Sequence, residues 1–174
     1  MKPLFSEGDL SDALHPQIDQ MRQAIASTPH DEVPQAPEYW LDIYGAVPIT
    51  LSEDAIKTNR PEEGVVTFIV PFTGTAELLK YRPKGSSRSH PEAEFGFDEI
   101  YFTYDMDQPR GQDRVKEAFQ KDLELLKKWL DWSKREVDEF NRELEGVLDR
   151  SLADRKIELD SDDSLMKDLG YPEV

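Results

Sequence analysis

The sequence predicts an α+β fold, a small antiparallel β-meander of about three or four strands packed with N-terminal helices and followed by a long C-terminal helical hairpin or kinked helix. Two segments read as strands, "GVVTFIVPF" at 64–72, a short run apolar on both faces, and "FDEIYFTYDM" at 97–106, which alternates at the period of a strand. From Phe119 to Val147, apolar residues recur alternately four and three positions apart, the period of a helix that buries one seam. Near the N-terminus, Ile18, Met21 and Ile25 also fall at helical spacing. The expected organisation is one domain over 1–174, with helices in 9–45, the meander in 46–106 and the helical arm in 112–168.

Within 6–28, Pro16 suits a first helical position, and Leu10 and Leu14 suit an earlier turn. "TPHDEVPQAP" has three prolines and no periodicity, and reads as a loop. Pro37 opens a short helix carrying Trp40, Ile43 and Tyr44, and Gly45 stands where that helix stops. A strand follows near 46–51, placed at a sheet edge because Pro48 has no N–H to donate. Ser52 is positioned to cap a short turn through "EDAIK".

In 64–72, Val66, Phe68, Val70 and Phe72 point one way and Val65, Thr67 and Ile69 the other, so the strand is expected to be covered on both faces. Gly74 is free to take positive φ in the turn "TGTA". "ELLKYRP" at 77–83 reads as the returning partner strand, and "KGSSRSHPEAEFG" at 84–96 as a polar loop. In 97–106, Ile100, Phe102 and Tyr104 share one face.

The C-terminal seam runs through Phe119, Leu123, Leu126, Leu130, Ser133, Val137, Phe140, Leu144 and Val147, and Ser133 is its only polar member. That regularity, with no Gly, Pro or Asn near 131–134, argues for one helix. Ser133 and Glu136 form the S-x-x-E pattern of helix starts. An unbroken helix over 113–158 would also reach nearly 70 Å at about 1.5 Å per residue, against roughly 30 Å for a compact domain of this size. The expectation leans to a break or kink at 131–134, with Trp129 and Trp132 packed at the joint.

Composition narrows the chemistry. The net charge of −16 disfavours nucleic acid, whose phosphates are held by Lys and Arg, and suits a basic protein partner. The chain has no cysteine, which excludes disulfides and thiolate chemistry and makes a cytoplasmic setting the simplest. There is neither a signal-peptide core nor an apolar run of the roughly 20 residues needed to cross a bilayer. P-loop, G-x-G-x-x-G and G-x-S-x-G patterns are all missing. Glu77 and Lys80, three apart, would face opposite sides of a strand and so do not form the E-x-K pair of restriction-type nucleases. His15, His30 and His90 have no metal-ligand spacing. "HPEAE" sets His90, Glu92 and Glu94 two apart, a pattern that suits a hard metal but reads first as surface loop. No catalytic residue, metal or cofactor is expected.

Two groups of residues remain as site candidates. Residues 78–91 contain no acid and form a basic island in which Lys80, Arg82, Arg88 and His90 are candidates for binding an anion; the competing reading is that they neutralise the chain's own acids. Trp129, Trp132, Phe140 and Asn141 are candidates for binding a partner. Trp129 and Phe140 read first as core, whereas Trp132 lies off the seam and is the best exposed anchor.

Three pieces, "IVPFTGTAELLKYRP", "DEIYFTY" and "FNRELEGVLDRSLADRK", together resemble a layout of uncharacterised bacterial proteins. In some of these the layout precedes a separate effector domain, with a Leu-Gly-x-Pro like "LGYP" at 169–172 just before it. The resemblance covers most of 60–172. It implies a sensor, adaptor or scaffold region of an antiviral defence system, and supplies no catalytic residue. The expected function is a non-enzymatic protein–protein interaction domain acting through its C-terminal helical surface. Its partner would be a second copy of itself or an effector encoded nearby. The alternative is an anion- or nucleotide-binding module, or a metal-dependent hydrolase, centred on the loop 82–94.

Overall fold

The computed structural model describes residues 1–29, 32–106 and 111–170. His30, residues 107–110 and the Tyr171–Pro172 half of "LGYP" lie outside the described residues. The fold is α+β, with β1 (Lys2–Pro3), α1 (Leu10–Ser27), α2 (Pro37–Tyr44), β2 (Thr50–Leu51), β3 (Lys57–Asn59), β4 (Val65–Thr73), β5 (Glu92–Phe95), β6 (Glu99–Asp105) and α3 (Gly111–Leu169). The chain divides into two compact units. One takes Met1–Ala13 with Ala46–Glu139, and the other Leu14–Gly45 with Phe140–Val174.

The first unit is built on an antiparallel sheet in the order β1-β5-β6-β4-β2, with β3 also paired to β4. The register sets Val66 opposite Tyr104, Phe68 opposite Phe102 and Val70 opposite Ile100, so the apolar faces expected for the two long strands form one surface. α3 covers that surface. Phe119 stacks on Phe68 with ring centroids 4.0 Å apart and meets Phe102 edge-on at 5.6 Å. The opposite face is only partly covered, because Val65 and Ile69 stay half-exposed while the Thr67 and Thr103 hydroxyls bond each other at 3.0 Å. β2 lies at the sheet edge, but it spans only Thr50–Leu51 rather than 46–51, so Pro48 precedes the strand instead of setting its edge. Gly74 takes φ +113°, and a Cβ there would come within 2.5 Å of the Pro48 carbonyl oxygen.

Three sequence expectations are corrected in this unit. Residues 77–83 do not form a strand; Ala76–Lys80 is a 3-10 turn that buries the consecutive Leu78 and Leu79. Consecutive buried residues suit a helical turn, since a strand sends neighbours to opposite faces. The partner of β4 is instead β6. The 84–96 loop contains β5, whose Ala93 points inward and is buried. Ser52 does precede a short 3-10 turn at Glu53–Ala55, but its side chain makes no capping bond.

The second unit is helical. α1 begins at Leu10 rather than Pro16, which sits inside it, and Leu14, Ile18, Met21 and Ile25 line one buried face. α2 starts on Pro37 and stops before Gly45, as the sequence indicates. Gly45 does so without positive φ; a Cβ there would meet the Leu41 carbonyl oxygen at 2.5 Å. Trp40 is buried and its indole N–H donates to the Pro34 carbonyl at 2.9 Å, whereas Ile43 faces solvent. From α3 this unit takes Phe140, Leu144, Val147 and Leu148, all buried. The Arg155 guanidinium donates to the Thr28 carbonyl at 3.1 Å, placing a cation beside the C-terminal end of α1.

α3 is a single helix through 131–134, so the expected break is absent. Ser133 and Glu136 do not mark a helix start. Ser133 is a buried member of the seam, and Glu136 reaches out of the helix to accept the Lys84 backbone N–H at 2.8 Å. All nine seam residues, Phe119 to Val147, are buried within the chain.

Candidate interaction surface

The partner-binding candidates separate by burial. Trp129 has no exposed surface and forms the centre of an aromatic group, against Phe5 at 5.1 Å, His90 at 4.7 Å and Trp132 at 5.9 Å. Its indole N–H donates to the Ser89 carbonyl at 3.0 Å, tying the basic loop to α3. Phe140 is likewise buried. Neither is a surface anchor; both are core. Asn141 is half-buried, with its amide oxygen close to Gly45. Trp132 keeps a partly exposed ring and is the one tryptophan of α3 that an outside group can reach.

The basic island is largely occupied by its own fold. Lys80 pairs with Glu77 at 2.8 Å, and that hydrogen bond raises the ammonium pKa above its ordinary value. Because these two residues lie on a 3-10 turn, their three-residue spacing puts them on the same side, opposite to what a strand would give. Arg82 donates from Nε to the Ser86 hydroxyl at 3.0 Å, and its backbone pairs with Gly8 and Leu10. His90 Nδ1 lies 3.1 Å from the Leu4 carbonyl, which can only accept, so that nitrogen carries the proton. Arg88 remains exposed. Glu92 and Glu94 are exposed residues of β5, and among the described residues no group of three or more His, Asp or Glu is placed to hold a metal ion.

The N-terminal segment is a participant that sequence reasoning passed over. Leu4 and Phe5 are buried, and their N–H groups donate to the Pro91 and Leu79 carbonyls at 2.8 and 2.7 Å. Phe5 adopts φ +55°, a left-handed conformation that is costly for a bulky residue. The "PLF" run next to the chain start was the available signal.

On α3 the burial pattern changes after Leu148. Ile157, Leu165, Met166 and Leu169 are exposed, at 64%, 59%, 39% and 55%. Leu165 and Leu169 are one turn apart, and Met166 and Leu169 are three apart, so these side chains adjoin on the helix surface. Around them, residues 153–169 carry six acids (Asp154, Glu158, Asp160, Asp162, Asp163, Asp168) and three bases (Arg155, Lys156, Lys167).

The arrangement is that of an acidic α+β domain whose long helix completes its own core and then presents a bare apolar strip. No protein-family model, curated protein or solved structure matches the chain. No helix among the described residues is long and apolar enough to cross a membrane.

Proposed function

We propose that this protein is a non-enzymatic adaptor or scaffold that engages a protein partner through the surface of its C-terminal helix. The observation that carries this reading is the exposed cluster of Leu165, Met166 and Leu169, with Ile157 exposed two turns earlier, on the part of α3 beyond the seam that the chain covers itself. A helix gains nothing from apolar residues left in water, whereas their burial against a partner contributes about 25 cal/mol per Å² before association costs. The surrounding excess of acids favours a basic amphipathic partner segment over a second copy, whose like charges would repel. The defence setting rests on the resemblance of the quoted segments alone.

The test is affinity capture with the wild-type chain and with the double variant Leu165→Glu/Leu169→Glu, followed by reconstitution of the captured protein in pure form. Both positions are exposed, so the double variant should stay folded by circular dichroism and lose the partner. Retained binding in the folded variant refutes the reading, as does a wild-type chain that reconstitutes with nothing. Light scattering across a concentration range checks self-association, which this proposal expects to be absent.

A further inference from the structure

A further surface feature belongs to the first unit, whereas the exposed strip belongs to the second. Lys84, Gly85, Trp132, Arg135, Glu136 and Glu139 line a surface pocket of about 300 Å³. Its wall is the half-exposed ring of Trp132, held from behind by edge-on contact with Trp129, so the indole is fixed in place rather than free to collapse. Glu136 is held too, since one carboxylate oxygen accepts the Lys84 N–H while the other is buried with no hydrogen-bond partner. Lys84 and Arg135 line the same pocket, yet among the described residues no cation lies within ion-pair distance of Glu136 or Glu139. The pocket therefore sets a fixed aromatic face beside one exposed carboxylate, Glu139, with two cations on the same rim.

We infer that this pocket receives an arginine side chain of a partner protein, with its guanidinium plane on Trp132 and its N–H groups directed to the exposed carboxylate of Glu139. A guanidinium can stack on an indole and donate to a carboxylate at the same time, which neither an ammonium nor an apolar group does as well. The chain's net charge of −16 draws a basic segment toward the surface before any contact forms. Tryptophan with arginine is also a pairing enriched at the energetic centres of interfaces.

The probe is a blocked pentapeptide, Ala-Ala-Arg-Ala-Ala, titrated into the full chain while the Trp132 indole N–H is followed by NMR. The expected result is saturable movement of that resonance, with affinity lowered about tenfold in Trp132→Phe, which keeps a ring but has a weaker cation-attracting face. Glu139→Gln, at an exposed position, should weaken binding similarly. The citrulline peptide, isosteric and uncharged, should not bind, and the lysine peptide should bind more weakly than arginine. No shift with the arginine peptide overturns the inference. So does equal binding of the citrulline peptide, or a response to the glutamate peptide or inorganic phosphate, which would assign the pocket to Lys84 and Arg135 as an anion site. The variant Leu165→Glu/Leu169→Glu should bind the arginine peptide like the wild type, so failure of the terminal strip and failure of this pocket are read separately.

Discussion

Replacing Trp129 by alanine tests the centre of the first unit. A buried tryptophan hides about 200 Å², and at about 25 cal/mol per Å² its removal forfeits close to 5 kcal/mol. That figure is an upper bound, because the unfolded chain already buries part of this area. Measured Trp→Ala costs of about 3–5 kcal/mol agree with it. Losing the hydrogen bond to the Ser89 carbonyl adds about 1 kcal/mol. We expect a loss of about 4–5 kcal/mol, a large share of the roughly 5–15 kcal/mol that holds most domains folded. The assay is urea unfolding by circular dichroism with linear extrapolation, where the midpoint should fall at unchanged slope. Hydrogen exchange should accelerate at Leu4 and Phe5, whose amides bond the Pro91 and Leu79 carbonyls beside this ring. The control is Trp132→Ala, which uncovers a half-exposed ring and should cost under about 2 kcal/mol. If Trp129→Ala costs no more than Trp132→Ala, the assignment of Trp129 as the keystone of the aromatic group is wrong.

Ser133→Pro should destabilise by about 3 kcal/mol or more, because it removes a helix hydrogen bond in the middle of α3; a hairpin at 131–134 would tolerate it, so an unchanged melting curve would restore the broken-helix reading. Gly74→Ala should cost about 2 kcal/mol or more through positive φ and collision with Pro48, while Gly85→Ala, at φ +75° in open space, should cost only about 1 kcal/mol; comparable losses in chemical denaturation would contradict the packing around Gly74. Burial first, and then the hydrogen bond to Asp122 at 2.6 Å, raise the Tyr104 phenol above its ordinary value. Since the folded-state pKa lies above the unfolded one, this group's contribution is complete below about pH 10 and is lost as pH rises beyond it. Ultraviolet titration should show one tyrosine ionising only with unfolding, and Tyr104→Phe should remove that step.

Periodicity carried most of what the sequence disclosed. Each of the nine positions of the α3 seam is buried, and the residues assigned to one face of each long strand meet across β4 and β6. The errors came where local pattern and tertiary context disagree. Ser133 and Glu136 match a capping box, yet a buried seam on both sides outweighs so short a motif. Leu78 and Leu79 are adjacent and both buried, a mark of a turn that the strand reading overlooked. The pairing of β5 with β1 is non-local and that with β6 is a tight hairpin, and β5 itself leaves only the brief alternation "EAEF" in the sequence. The partial exposure of Trp132 was legible from its place off the seam. The role of Glu136 was not, because its partner Lys84 lies 52 positions away. The terminal strip was hidden by the same rule that found the seam, since after Val147 the four-three rhythm passes to Ser151, Asp154 and Glu158.

Each compact unit is assembled from two distant stretches of chain, and α3 supplies the final portion of both. During synthesis, at about 5–20 residues per second, the first 45 residues therefore emerge well before the helix that covers them. Phe5 lacks its stacking partner until Trp129 has left the ribosome, and the α1 residues of the second unit wait longer still, for the part of α3 beyond Glu139. Biogenesis of this protein is thus obligatorily late: the nascent chain passes through a long interval with its greasiest N-terminal residues bare, and it closes only after translation of α3.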